Sequence, residues 1–239
     1  CSALIHFSAD GNTLAGVLPA GLPALPDLQV ISLSRNDLSG PVPSSVFCNV
    51  SRVSASPPSL RIVQLGFNGF TEISDVMTTC SSVLRVLDLQ QNRIKGVLPA
   101  WLGNLSTIVN LDLSGNLFSG SIPRGVSNLV NLKELRLGNN SLSGNVPVEI
   151  KSFTSLQILD LGDNHFSGEM PAFFGEMRGL KSLYLGGNRF SGEIPASFGN
   201  LSGLQVLDVG NNQLSGTFPV ELLGLSNLTT LNLAGNQFS

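Results

Sequence analysis

Residues 156–164 read Leu156-Gln157-Ile158-Leu159-Asp160-Leu161-Gly162-Asp163-Asn164, and the same spacing of leucines ahead of an asparagine returns along the whole chain. The asparagine recurs at Asn12, Asn36, Asn68, Asn92, Asn116, Asn140, Asn164, Asn188, Asn212 and Asn236. Eight of the nine intervals are 24 residues, and the ninth, from Asn36 to Asn68, is 32. Leu159 and Leu161 flank Asp160 with the period-two alternation of a strand, so the leucines face one way and the variable residue the other. One unit cannot bury its leucines alone. Neighbouring units must stack, with strands about 4.8 Å apart, into a continuous parallel sheet roughly 43 Å across for ten strands. The asparagine falls where the strand turns away, and its amide can both donate to and accept from the backbone of adjacent turns.

A second motif follows each asparagine: Leu38-Ser-Gly40-x-Val42-Pro43, Phe118-Ser-Gly120-x-Ile122-Pro123, Phe190-Ser-Gly192-x-Ile194-Pro195, Leu214-Ser-Gly216-x-Phe218-Pro219. Glycine permits a turn closed to other residues and proline fixes the next φ, so the pair sets the return path across the outer side. The third repeat departs from this, with Glu72 and Asp75 in the Gly and Pro positions, which leaves its return path open. The back half reads P-x-x-L-x-x-L, as in Pro99, Leu102 and Leu105, and suits a short helical or 3₁₀ segment. A period of 24 with this leucine spacing is the leucine-rich-repeat signature. The expected class is α/β: a right-handed solenoid of about ten repeats with a concave parallel β-sheet, residues 1–239 forming one solenoid with an irregular insertion at about 47–59.

The L-S-G-x-I-P form resembles the plant-specific leucine-rich repeat of receptor-like kinase ectodomains and of polygalacturonase-inhibiting proteins, over essentially the whole chain. Phe47-Cys48-Asn49 followed by Ile62-Val63-Gln64-Leu65-Gly66-Phe67-Asn68 is similar to the receptor kinases of the MUSTACHES type and the rice protein XIAO. The resemblance implies a cell-surface scaffold for a peptide or protein ligand laid along the inner face, acting in growth or developmental signalling. A shorter repeat protein would serve as co-receptor. It implies a separate Ser/Thr kinase domain, and a membrane attachment only through a segment outside this chain. The paired-arginine motif that some such receptors use for a peptide's terminal carboxylate is absent here.

The net charge is −3, only 12% of residues are charged, and no Lys/Arg-rich run occurs, which removes the electrostatic footprint of a nucleic-acid or anionic-membrane partner. Cys48 and Cys80 each lie 12 residues after their repeat's asparagine, in one structural column. One strand spacing between them falls within the range of about 4.4–6.8 Å that a disulfide tolerates. A bridge there would close a loop of about 33 residues and contribute roughly 3–4 kcal/mol; two buried thiols are the alternative. Cys1 has no evident partner. Five N-x-[ST] sequons, at Asn49, Asn104, Asn139, Asn200 and Asn227, favour the secretory pathway and the extracellular side of the plasma membrane. Asn139 stands apart, beside the ladder residue Asn140 and near the rim of the inner face.

The residue between the two strand leucines points out of the sheet, giving the column Ser8, Ser32, Gln64, Asp88, Asp112, Arg136, Asp160, Tyr184, Asp208 and Asn232. Arg136 stands between Asp112 and Asp160, within reach of charge pairing across the ladder. Tyr184 and, from a neighbouring position, Phe67 are aromatics of the kind that anchor interfaces. Phe67, Asp88, Asp112, Arg136, Asp160, Tyr184 and Asp208 form the candidate ligand-binding set; a solvated ion ladder that only balances charge is the alternative for the charged members. Gly66, Gly138, Gly162, Gly186 and Gly210 recur beyond the strand and suggest a bare floor on which a ligand backbone can lie close. Trp101 belongs to the outer side and is expected to pack on a neighbouring repeat.

No catalytic residues, cofactor or metal site are expected. His6 and His165 lie six strand spacings apart, roughly 29 Å, and adjacent Asp88 and Asp112 on an open sheet lack the distinct environments that separate an acid from a base. Two binding classes remain, a receptor ectodomain and a freestanding secreted inhibitor of a cell-wall hydrolase. The sequence shows no polar, cysteine-stapled cap at either end, which favours an interior slice of a receptor ectodomain.

Overall fold

The computed structural model describes residues 3–23, 25–47, 59–74 and 82–239. Cys1, Cys48, Asn49 and Cys80, and with them the expected disulfide, lie outside the described residues. Each leucine-flanked segment forms a three-residue strand. Ten of them, from His6–Ser8 to Thr230–Asn232, pair in chain order into one parallel sheet. The register is unshifted: Leu159 stands opposite Leu135 and Leu183, so inward side chains pack in a continuous column that is buried from Ile31 to Leu207 and opens only at the end strands. The long interval leaves this sheet intact, because Val30–Ser32 pairs with Ile62–Gln64 in the same register as every other neighbour.

The ladder asparagines hold the turns together as their chemistry predicts. Asn164 Nδ2 donates to the carbonyls of Leu137 (3.0 Å), Leu161 (3.2 Å) and Gly162 (3.0 Å), while its Oδ1 accepts from the Leu142 N–H at 2.9 Å. Two repeats are thereby tied through one buried amide. Asn36, Asn68, Asn92, Asn116, Asn140, Asn188, Asn212 and Asn236 repeat the pattern, one repeat to the next.

The L-S-G segments do more than return the chain, for they form a second layer of parallel strands that sequence spacing alone does not reveal. Lys95–Val97, Leu117–Gly120, Ser141–Gly144, His165–Glu169, Arg189–Gly192, Gln213–Gly216 and Gln237–Phe238 make a seven-stranded sheet; Ala15–Val17, Asp37–Val42 and Gly69–Ile73 make a three-stranded one. The glycine has two reasons to be there. Its φ is positive, and the residue after the previous repeat's glycine leans over it: a Cβ on Gly216 would stand 2.7 Å from Glu193 Cγ, and one on Gly168 2.7 Å from Asn145 Oδ1. Where Glu72 replaces that glycine, the strand runs straight from Gly69 to Ile73 and pairs with Asp37–Val42 through a register shift after Gly40. The second layer divides there into its three- and seven-stranded parts.

After the motif prolines from Pro43 to Pro219 the chain makes a 3₁₀ turn, such as Ala100–Asn104, Ala172–Glu176 and Ala196–Asn200, with the proline φ near −65° pre-set for entry. These turns aim Leu102, Val126, Ile150, Phe174, Phe198 and Leu222 into the core. Trp101 packs on another repeat: its ring meets Phe47 of the second repeat at 4.8 Å between centroids. The helical layer is 3₁₀ throughout the described residues.

Candidate ligand-binding face

The unshifted register places Asp88, Asp112, Arg136, Asp160, Tyr184, Asp208 and Asn232 in a single outward row, one per strand. Two concavities divide this row. A trough of about 490 Å³ is lined by Arg136, Asp160, Tyr184 and Asp208 together with Asn139 and Asp163. A smaller one of about 150 Å³ holds Asp88, Asp112, Glu134 and Arg136. Arg136 therefore borders both. Phe67 is in neither; it sits on the rim, in the residue immediately before the ladder asparagine.

The expected symmetric pairing of Arg136 is not what the structure shows. Its Nη2 bonds Glu134 Oε2 on its own strand at 3.2 Å and its Nε stands 3.9 Å from Asp112 Oδ2, whereas no Asp160 oxygen comes within ion-pair distance. Asp160 is turned away because its Oδ1 accepts the N–H of Gly162 at 3.0 Å. The same two-residue cap recurs along the row: Asp88 accepts from Gln90 N (2.9 Å), Asp112 from Ser114 N (3.0 Å) and Oγ (2.6 Å), Asp208 from Gly210 N (2.9 Å). These carboxylates finish the strand as well as facing solvent.

That turn also corrects the reading of the glycines as a bare floor. A Cβ on Gly138 would meet Asp160 Oδ1 at 2.7 Å, one on Gly186 would meet Asp208 Oδ1 at 2.7 Å, and one on Gly66 would meet Asp88 Oδ1 at 3.0 Å. The glycines make room for the next repeat's carboxylate, and the space is filled. Gly162 is the least covered, its nearest neighbour 3.3 Å away, because the next residue in the row is Tyr184.

Burial raises the carboxyl of Asp160 above the ordinary range, against the opposing pull of the Gly162 N–H and the Arg136 charge. Burial likewise raises Asp88, opposed by its hydrogen bonds from Gln90. Both acids are shifted the same way by the same cause, which supplies no acid–base division of labour. His6 starts an inner strand and His165 a second-layer strand, so the two occupy different sheets. Among the described residues no three His, Cys, Asp or Glu side chains gather as a metal site would require.

In the row before the ladder asparagines, sequence reading singled out Phe67 and Asn139 and missed the rest. Arg35, Phe67, Gln91, Asn139, Asp163 and Asn211 all adopt positive φ there, and Gln91, Asn139, Asp163 and Asn211 line the large trough. Their signal is positional: each directly precedes a ladder asparagine. Of the sequons, Asn104, Asn200 and Asn227 are exposed on the 3₁₀ side, and Asn139 is exposed at the trough.

One model described as leucine rich repeat matches residues 58–118 and 172–238, more than half of the chain, and a second matches 27–49, 131–153 and 155–177. The chain belongs to the leucine-rich-repeat family. Receptor-like protein 35 of Arabidopsis thaliana is 38% identical to this leucine-rich-repeat chain over 121 residues, which are 44% of the chain and 13% of that relative. The ectodomain of the Arabidopsis thaliana receptor kinase GASSHO1/SCHENGEN3, solved in complex with CASPARIAN STRIP INTEGRITY FACTOR 2, superposes with TM-score 0.89 at 29% identity, over 100% of this chain and 28% of that one. The Arabidopsis receptor kinase HAESA, solved with the peptide hormone IDA and the co-receptor SERK1, superposes with TM-score 0.78 at 34% identity, over 99% and 42%. The repeats thus span less than half the length of each of these relatives. No helix among the described residues is long and apolar enough to cross a membrane.

Proposed function

We propose that this chain is the ligand-reading part of a plant receptor ectodomain at the extracellular face of the plasma membrane, binding a peptide or protein along its inner sheet. The observation that carries the reading is the open trough that brings Arg136, Asp160, Tyr184 and Asp208 together on the outward row. Tyrosine and arginine are the side chain types that most often carry the binding energy of an interface. The likeness to ectodomains solved with a peptide hormone and with a co-receptor supports a similar arrangement, with a shorter repeat protein as second partner. A Ser/Thr kinase domain outside residues 1–239, the narrower MUSTACHES or XIAO type, the Cys48–Cys80 bridge and glycans at the five sequons complete the proposal.

The test uses peptides selected on the whole chain from a random library displayed on phage. Arg136→Glu combined with Tyr184→Ala should weaken the selected peptides about a hundredfold, since each anchor of this kind is worth roughly tenfold or more. Undiminished binding refutes the site. The complete open reading frame separates a receptor from a freestanding inhibitor.

A further inference from the structure

The residue before each ladder asparagine is held in the left-handed region by the fold itself, whatever its side chain. Phe67 donates its N–H to the Gln90 carbonyl (2.8 Å) and accepts from the Asn36 N–H (3.3 Å), so both neighbouring repeats clamp its backbone. Glycine, asparagine and aspartate tolerate this conformation and fill the row at Gly115, Asn139, Asp163, Gly187, Asn211 and Gly235. Arg35 (φ 58°) and Phe67 (φ 56°), in adjacent repeats, are bulky exceptions. Gln91 shares the backbone but folds over Gly115, a use that its side chain finds within the fold.

No comparable internal use accounts for the Phe67 ring. It is 41% exposed while Leu65 and Phe70 beside it are fully buried. The Arg35 guanidinium lies over it, 4.9 Å from the ring centroid, is itself exposed, and has no ion-pair partner among the described residues. A guanidinium stacked on a ring keeps its N–H edge available for a carboxylate, and the ring orders the long side chain in advance.

We propose that Arg35 and Phe67 form a composite anchor on the rim of the inner face that receives a carboxylate carried next to an apolar side chain of a peptide ligand. Arg35 takes the carboxylate and the free part of the Phe67 ring takes the apolar group. The inference rests on the reading of the inner face as a peptide-binding surface and adds a second contact point, one repeat before Gln91, where the lining of the trough begins.

The experiment follows arginine side-chain N–H signals of the whole chain, labelled with ¹⁵N-arginine, during titration with three probes. These are N-acetylphenylalanine, its amide, and N-acetyl-aspartyl-phenylalaninamide. The two acids should shift the Arg35 signal saturably and the neutral amide should not; their relative affinities tell a terminal carboxylate from an acidic side chain. Arg35→Gln should weaken both acids by about tenfold or more, and Arg124→Gln, in the 3₁₀ turn Arg124–Asn128 away from the inner face, should leave them unchanged. Phe67→Asn should abolish binding while holding or raising the Tm, because asparagine suits the left-handed backbone better. The proposal is overturned if no probe moves Arg35, if the amide moves it as the acids do, or if Phe67→Asn lowers the Tm by several degrees, which would make the ring a packing element. Probe binding that survives while library peptides ignore the Arg136/Tyr184 variant sinks the trough and leaves this anchor standing.

Discussion

Replacing Asn164 with alanine tests the central structural claim, that a buried amide ties each repeat to the one before. Asn164 is only 4% exposed. Its two amide protons are shared among three carbonyls, and its oxygen holds the Leu142 N–H at 2.9 Å. Each of about three effective bonds contributes roughly 0.5–1.5 kcal/mol net, and an orphaned N–H in a closed interior adds a desolvation cost of about 1–3 kcal/mol. Asn164→Ala should therefore cost about 3–5 kcal/mol, or roughly 6–20 °C in Tm for a chain of this size. Asn12 is the internal control. It is exposed and donates only to the carbonyls of its own turn, Ala9 and Asp10, so Asn12→Ala should cost under about 1 kcal/mol. Urea unfolding should be followed by far-ultraviolet circular dichroism and by fluorescence of Trp101, the one tryptophan. A repeat array can lose cooperativity when one interface weakens. Separation of the two curves would therefore show the seventh repeat opening ahead of the fourth. Equal costs for the two substitutions would refute the ladder argument.

Asp160→Asn should stabilise the fold near neutrality and lose that advantage in acid. Burial raises the folded-state carboxyl, so the folded chain binds this proton more tightly than the unfolded one, and stability is given up as pH rises from the ordinary carboxylate value through the raised one. Asparagine keeps an acceptor for the Gly162 N–H. The variant's gain, measured by urea melts, should grow from about pH 3 to pH 7; a gain independent of pH contradicts the burial account. A glycan on Asn139 would stand in the trough and compete with ligand there. Glycopeptide mass spectrometry should find the modification, and Asn139→Gln should speed nitration of Tyr184, the single tyrosine. Full occupancy with unchanged nitration would separate the glycan from the site.

The spacing of leucines and asparagines decided the solenoid, because period two within a strand and period 24 between strands leave one way to bury the leucines and satisfy the amides. The unshifted row of Asp88, Asp112, Arg136, Asp160, Tyr184 and Asp208 followed from the same periodicity. Other features depend on which way a side chain turns once its neighbour is present, and a periodic pattern carries no such information. Asp160 capping Gly162 instead of pairing with Arg136, the carboxylates filling the glycine floor, and Arg35 lying on Phe67 are of that kind. So is the second sheet, whose strands exist only because adjacent L-S-G segments are brought within hydrogen-bonding distance by a first sheet already in register. The sequence by itself determined the repeat and the order of residues along the inner face. Tertiary contact between repeats decided how those residues point, and with that the shape and charge a ligand meets.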